Sequence, residues 1–250
     1  MARIDRIPFH FHAEGHAFSG EIHEPFWYPI DAKASTSLPT IGGHATAHAE
    51  DFSCRELVSF KRAHTHVSGR KLDDNVYVTH ATTSIEGLSI EGGVLTADRI
   101  VCQLSSRLDP RHPEGLILAN GTKFENLRIR GHEIRVTLRH KLLEDCDNFE
   151  KLHASVKREK DSGKPASYDD GATICTLVER IDTTTLPGAI KEGDHILKVP
   201  EFGKITFAEI FAVKGSRTLT MLHLELGSPQ TANFTVVEDG TNGRPYPPPP

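Results

Sequence analysis

No run of apolar residues in this 250-residue chain approaches the length of a membrane span, and residues 1–8 hold no apolar stretch of signal-peptide length. A cytoplasmic protein without a membrane partner is the expectation. Positive charge is not in excess either: 29 Lys and Arg against 34 Asp and Glu leave a formal charge of -5, which gives no general attraction for nucleic acid. Cysteine is scarce. The four residues, Cys54, Cys102, Cys146 and Cys175, are widely spaced and form no C-x-x-C pair, which excludes a zinc ribbon or thioredoxin-like motif. Free thiols are expected, with Cys102 and Cys175 inside strand-like runs where a thiol acts as a small hydrophobe.

Catalytic signatures are missing as well. There is no phosphate-binding Walker loop and no G-x-G-x-x-G between a strand and a helix. Ser89, in Gly87-Leu88-Ser89-Ile90-Glu91, lacks the second glycine of a nucleophile elbow. The loop carboxylates Asp73-Asp74, Asp109 and Asp169-Asp170 show no calcium-ligand periodicity.

What the chain does contain is one short phrase written twice. Thr83-Ser84-Ile85-Glu86-Gly87-Leu88-Ser89-Ile90-Glu91-Gly92 matches Thr122-Lys123-Phe124-Glu125-Asn126-Leu127-Arg128-Ile129-Arg130-Gly131 in its threonine, bulky apolar residue, glutamate, leucine, isoleucine and glycine. Leu88/Ile90 and Leu127/Ile129 alternate with polar residues, the period of a half-buried strand. Gly87 and Asn126, at corresponding places, are the residue types that most readily take a positive φ. Two equivalent strand-corner-strand units are expected. Gly42-Gly43-His44-Ala45-Thr46-Ala47 and Gly92-Gly93-Val94-Leu95-Thr96-Ala97 form a weaker echo.

Strand patterns fill most of the remaining chain. Residues 7–22 place Phe9, Phe11, Ala13 and Ala17 on one parity and His10, His12, Glu14 and His16 on the other. Further strands are read over 41–50, 52–67, 76–82, 94–104, 116–119, 124–130, 134–139, 172–181, 195–199, 204–213, 218–226 and 233–237. Phe26-Trp27-Tyr28 sits between prolines and is read as a loop whose rings cap the core, with a contact surface as the alternative. Leu142, Cys146, Phe149, Leu152, His153 and Val156 recur at helical spacing, and Asp147 with Glu150 suggests a capping box. The expected architecture is all-β. It is a β-sandwich or barrel-like single domain over residues 1–237, with one helical insertion at about 142–160 (162 at the outside) covering a sheet edge. An irregular β-solenoid is the alternative, and residues 238–250 are read as a Pro-rich tail.

The run from Gly87 to Asp98, the corner leading into Asn126-Leu127-Arg128-Ile129-Arg130-Gly131, and Val199-Pro200-Glu201-Phe202-Gly203-Lys204-Ile205-Thr206-Phe207-Ala208-Glu209 together resemble the bacterial domain family called choice-of-anchor P. Thr220 to Leu226 falls where that family has its closing strand, and the resemblance covers about residues 75–237. It implies a β-rich domain associated with surface attachment, typically secreted, without an established catalytic site. The chain departs from the family in its helical insertion and its histidine-rich front.

Nine of the 15 histidines lie within the first eighty residues: His10, His12, His16, His23, His44, His48, His64, His66 and His80. Residues two or four apart on a strand share a face, so His10/His12, His44/His48 and His64/His66 form same-face pairs. Were their strands neighbours, His10, His12, His16, His44, His48, His64 and His66, with Glu14, would supply ligands for a transition metal such as zinc, iron or nickel. Two functions are therefore expected in competition. One is a non-enzymatic structural, self-assembling or binding protein that forms homo-oligomers. The other is a histidine-ligated metalloprotein or metal-dependent enzyme with a site on the N-terminal sheet. A ligand-carrying β-barrel is a third reading.

Overall fold

The computed structural model describes residues 9–245, apart from 74, 110, 162–166, 169–170, 185 and 228–229. In chain order the first strands are β1 (Phe9–Ile22), β2 (Tyr28–Lys33), β3 (Thr36–Ser37), β4 (Gly43–Cys54), β5 (Val58–Asp73), β6 (Val76–Ile90), β7 (Leu95–Asp109) and β8 (His112–Leu118). Four short strands, β9 (Lys123–Glu125), β10 (Arg128–Ile129), β11 (His132–Glu133) and β12 (Arg135–Leu138), precede helices α1 (Leu142–Asp145) and α2 (Phe149–Asp161). The chain continues through β13 (Ser167–Tyr168), β14 (Ala172–Thr176), β15 (Val178–Asp182), β16 (Ile190–Glu192) and β17 (Ile196–Val199). It ends in three long strands, β18 (Gly203–Val213), β19 (Ser216–Leu226) and β20 (Ala232–Pro245).

Two antiparallel sheets result. One has the order β13-β14-β18-β19-β20-β1-β2, with β3, β16 and β17 attached beside that path, and the other has the order β11-β10-β7-β6-β5-β4, with β8 and β9 also on β7. Strands β12 and β15 form a separate pair. The sheets pack face to face. Phe124 meets Phe207 at 6.1 Å between ring centroids, and the Cys102 thiol reaches the Leu219 carbonyl across the gap. Burying both inner faces on each other leaves each sheet with open ends, so the barrel-like reading, and the ligand-carrying barrel with it, gives way to a sandwich. Antiparallel pairing likewise replaces the solenoid alternative.

The written repeat has a geometrical meaning. Its two copies lie on opposite sides of β7 and pair with it in the same register. Ile85 and Phe124 both face Ile100, Glu86 and Glu125 both face Arg99, and Ile90 and Ile129 both face Leu95. Backbone conformation repeats too: φ is 66° and 49° at Gly87 and Asn126, 50° and 51° at Glu91 and Arg130, and 60° and 78° at Gly92 and Gly131. The first copy is a single long strand bent at Gly87, whereas the second breaks into β9 and β10.

Several expected boundaries move. Phe52 belongs to the end of β4, which runs to Cys54, rather than opening β5, because the chain turns at Arg55 and Glu56, which take φ of 50° and 55° without any Gly or Asn to announce it. The helical insertion splits after Asp145. The cap of α2 is Asn148, whose Oδ1 accepts from Lys151 N at 2.9 Å, while Asp147 binds the Lys151 ammonium at 2.9 Å. Leu152 and Val156 are buried, and His153 Nδ1 meets Thr173 Oγ1 at 2.8 Å, so α2 covers the β13–β14 end of its sheet as anticipated. Phe26, Trp27 and Tyr28 cap nothing: they are 73%, 65% and 43% exposed. Residues 238–245, read as tail, continue β20 against β1; residues 246–250 lie outside the described residues.

Candidate functional site

Cross-strand register turns the histidines of the second sheet into rows on its outer face. Thr46, His66, Thr82 and Gln103 stand side by side on β4, β5, β6 and β7. On one flank lies the row His44, Ser68, His80 and Ser105; on the other lies His48, His64, Ser84 and Val101. The same-face pairs read from the sequence are thus real and contiguous. His80 is the most enclosed of these rings: its Nε2 meets Thr82 Oγ1 at 2.7 Å, and burial, with His66 nearby, holds its pKa below the usual histidine value. His44, His48 and His64 are exposed and have no hydrogen-bond partner among the described residues.

His10, His12 and His16 lie elsewhere. β1 belongs to the first sheet and presents them on its outer face, across the sandwich from the other four. All seven cannot converge, because parity fixes the face of a strand but not the sheet it joins. Among the described residues no group of three or more His, Cys, Asp or Glu side chains is placed to hold a metal ion.

Around His16 the first sheet forms a polar cleft of about 330 Å³, lined by Glu14, His16, Glu238 and the hydroxyls of Ser35, Thr36 and Ser37. His16 Nε2 lies 2.9 Å from Ser19 Oγ, its Nδ1 lies 4.0 Å from Glu238 Oε1, and Thr220 Oγ1 donates to Glu238 Oε2 at 2.6 Å. Burial lowers the His16 pKa, while Glu238 and Glu14 oppose it. The imidazole pairs with the Ser19 hydroxyl at hydrogen-bond distance but lies too far from Glu238 to be oriented by a hydrogen bond from that carboxylate.

Beneath that cleft lies a buried acid that the sequence concealed. Asp239 is fully enclosed between the sheets, and Thr83 donates to it twice, from Oγ1 at 2.5 Å and from N at 3.2 Å. Thr65 Oγ1 adds a contact to Thr83 Oγ1 at 3.1 Å. Burial pushes the Asp239 pKa up to about 7, against the hydrogen bonds from Thr83 and Cys102. Gly15 makes this arrangement possible, since a Cβ there would lie 2.3 Å from Asp239 Oδ1. Asp239 was hidden because Val236-Val237 breaks the alternation and reads as a strand end, whereas the positive φ of 56° at Val237 is a kink within β20 that leaves its register with β1 and β19 unbroken.

The remaining feature is an edge. β4 ends the second sheet, pairs with β5 along one side only, and has no fully buried residue. Of the other ends, β2 contains Pro29, β13 and β14 lie under α2, and β11 and β16 are only two and three residues long. From Gly43 to Glu50, β4 has neither proline nor lysine, and its backbone departs from extended geometry only at Asp51, with φ of 48°, while the pairing with β5 continues in register. Exposed apolar groups flank it, with Ile41 90% exposed at the start and Tyr28 stacked under the Arg55 guanidinium, 4.6 Å from the ring, beyond the end.

No helix among the described residues is long and apolar enough to cross a membrane. No curated protein and no solved structure matches the chain. A family model does match, over residues 9–165, from β1 through α2 to the residues after it. The chain belongs to the family described as a domain of unknown function, DUF8256.

Proposed function

We propose that the protein is a non-enzymatic structural module that joins copies of itself edge to edge through β4. The observation that carries this reading is the long edge from Gly43 to Glu50, free of proline and lysine, among described sheet ends that are otherwise covered, interrupted by proline or only two or three residues long. An edge strand offers a row of unpaired N–H and C=O groups that a second strand satisfies. The alanines at 45, 47 and 49 keep one side of β4 slim, and the exposed ring of Tyr28 against Arg55 adds apolar surface just beyond its far end. The resemblance to choice-of-anchor P domains, associated with surface attachment and lacking an established catalytic site, favours the same reading. Four free thiols fit a reducing compartment such as the cytoplasm.

Thr46→Lys with Ser53→Lys tests the proposal, since both positions are exposed and lysine is a natural guard of sheet edges. Sedimentation velocity on the full chain should show concentration-dependent association in the parent and a monomer in the variant, with unchanged far-ultraviolet circular dichroism. A strictly monomeric parent, or a variant that associates as well as the parent, overturns the reading.

A further inference from the structure

We propose that edge-to-edge pairing of β4 creates two identical transition-metal sites, each built from His48 and His64 of one copy and His44 of the other. The proposal rests on the β4 assembly above and adds a ligand to it.

The geometry supplies the argument. His48 and His64 are direct cross-strand partners, exposed on the same outer face, so their Cβ atoms stand about 5 Å apart. Two imidazoles fall short of a zinc site, which takes three or four protein ligands, and no third His, Cys, Asp or Glu of the same chain joins them among the described residues. His44 is the candidate for the third. It lies on the same face of β4 but four residues away, roughly 13 Å along the strand, beyond reach of an ion held by His48 and His64.

A two-fold axis through Thr46 removes that distance. Two β4 strands paired antiparallel about this residue place His44 of each copy opposite His48 of the other, and Thr46 opposite its own counterpart. Residues 43–49 form the ladder, which ends before the bend at Asp51. On the outer face three histidines then stand in one row: His64, His48 and the second copy's His44. Neighbouring strands are about 4.8 Å apart, so the outer two rings flank the central one closely enough to meet a single ion above it. On the inner face Ala45 meets Ala47 of the other copy, without bulk to obstruct the approach. The symmetry repeats the site, giving two ions per dimer, each with three imidazoles and an open position for water. Borderline divalent ions suited to imidazole, zinc above all, are the ligand class.

Zinc chloride is the probe, added to the untagged full chain after treatment with a chelator. Sedimentation velocity should show the dimer dissociation constant falling at least tenfold with zinc, and equilibrium dialysis should find one zinc per chain. His64→Ala, on β5 and outside the ladder, should abolish the zinc response while leaving association in chelator unchanged. His44→Ala and His48→Ala should each abolish it too, read as the ratio of the dissociation constants with and without zinc for that same variant. The His44 variant decides between sites, because an ion held within one chain by His48 and His64 does not need His44. A full zinc response in the His44 variant overturns the proposal, as does one zinc bound to a monomer. Association that zinc does not strengthen overturns the metal site and leaves the β4 assembly standing. No association with or without zinc overturns both.

Discussion

Asp239 concentrates the physical chemistry of single residues in this protein. It is the one fully enclosed carboxyl among the described residues, and it has donors but no cation beside it. Its folded pKa of about 7 lies above the ordinary 3.8, so between those values the folded chain holds a proton that the unfolded chain has released. The stability contributed by that proton is complete below the unfolded value and is lost as pH rises through the folded one. His16 and His80 act in the opposite sense: burial lowers their folded values, so acid favours the unfolded chain. Subtracting Asp239→Asn from the parent isolates the acid. Relative to that variant, the parent should lose on the order of 3 kcal/mol of unfolding free energy between about pH 5 and about pH 8, measured by urea denaturation. Parallel profiles would remove Asp239 as a titrating group. Little of this was legible beforehand, because enclosure by the facing sheet depends on Gly15 and Thr83, more than 150 residues away in the chain. Histidine parity, by contrast, could be read directly, since a strand shows its faces in its own sequence. What it could not show was which strands lie in the same sheet.

At the scale of elements, the duplicated phrase on either side of β7 was the most informative passage in the chain. Apolar residues at corresponding places face the same β7 partners, and three corresponding positions share a positive φ. One of those positions is held by Glu91 in the first copy and Arg130 in the second, types with no preference for that conformation, so the surrounding pairing imposes it. The same limit explains the missed turn at Arg55 and Glu56: no turn-forming residue marks it, and the ladder between β4 and β5 dictates it. The helical insertion was legible from its three-four spacing, but its start was not, since Asp147 and Asn148 are adjacent and both are good cap residues. Asn148→Ala should cost about 1 kcal/mol and lower the melting temperature by about 2–4 °C, read by calorimetry. Asp147→Ala should cost clearly less, because its exposed pairing with Lys151 is worth little. The reverse order would identify Asp147 as the cap.

For the whole molecule, hydrogen exchange offers a reading of assembly that does not depend on mass. Strands β6 and β7 are paired on both sides and should exchange slowest. Isolated β4 has an open side, so its outward amides should exchange at least tenfold faster in the Thr46→Lys, Ser53→Lys variant than in the associated parent. Equal rates would mean that β4 is not the contact. The family match at 9–165 covers all of the second sheet, including this edge, but only one flank of the first. Strands β18, β19 and β20 lie beyond it, although β20 pairs with β1 along nearly its entire length.

That last pairing bears on synthesis. The strands of the second sheet are close in sequence and are all made before residue 134, whereas β1 must wait until β20 has emerged, more than 200 residues later. During that interval Phe11, Ala13 and Ala17 have no strand to zip against on the β20 side, and a half-made chain carries a sticky ribbon at its front. Synthesis halted before β20 has been made would thus leave a product open to mispairing, and the cell's chaperones should meet this protein chiefly as that unfinished form.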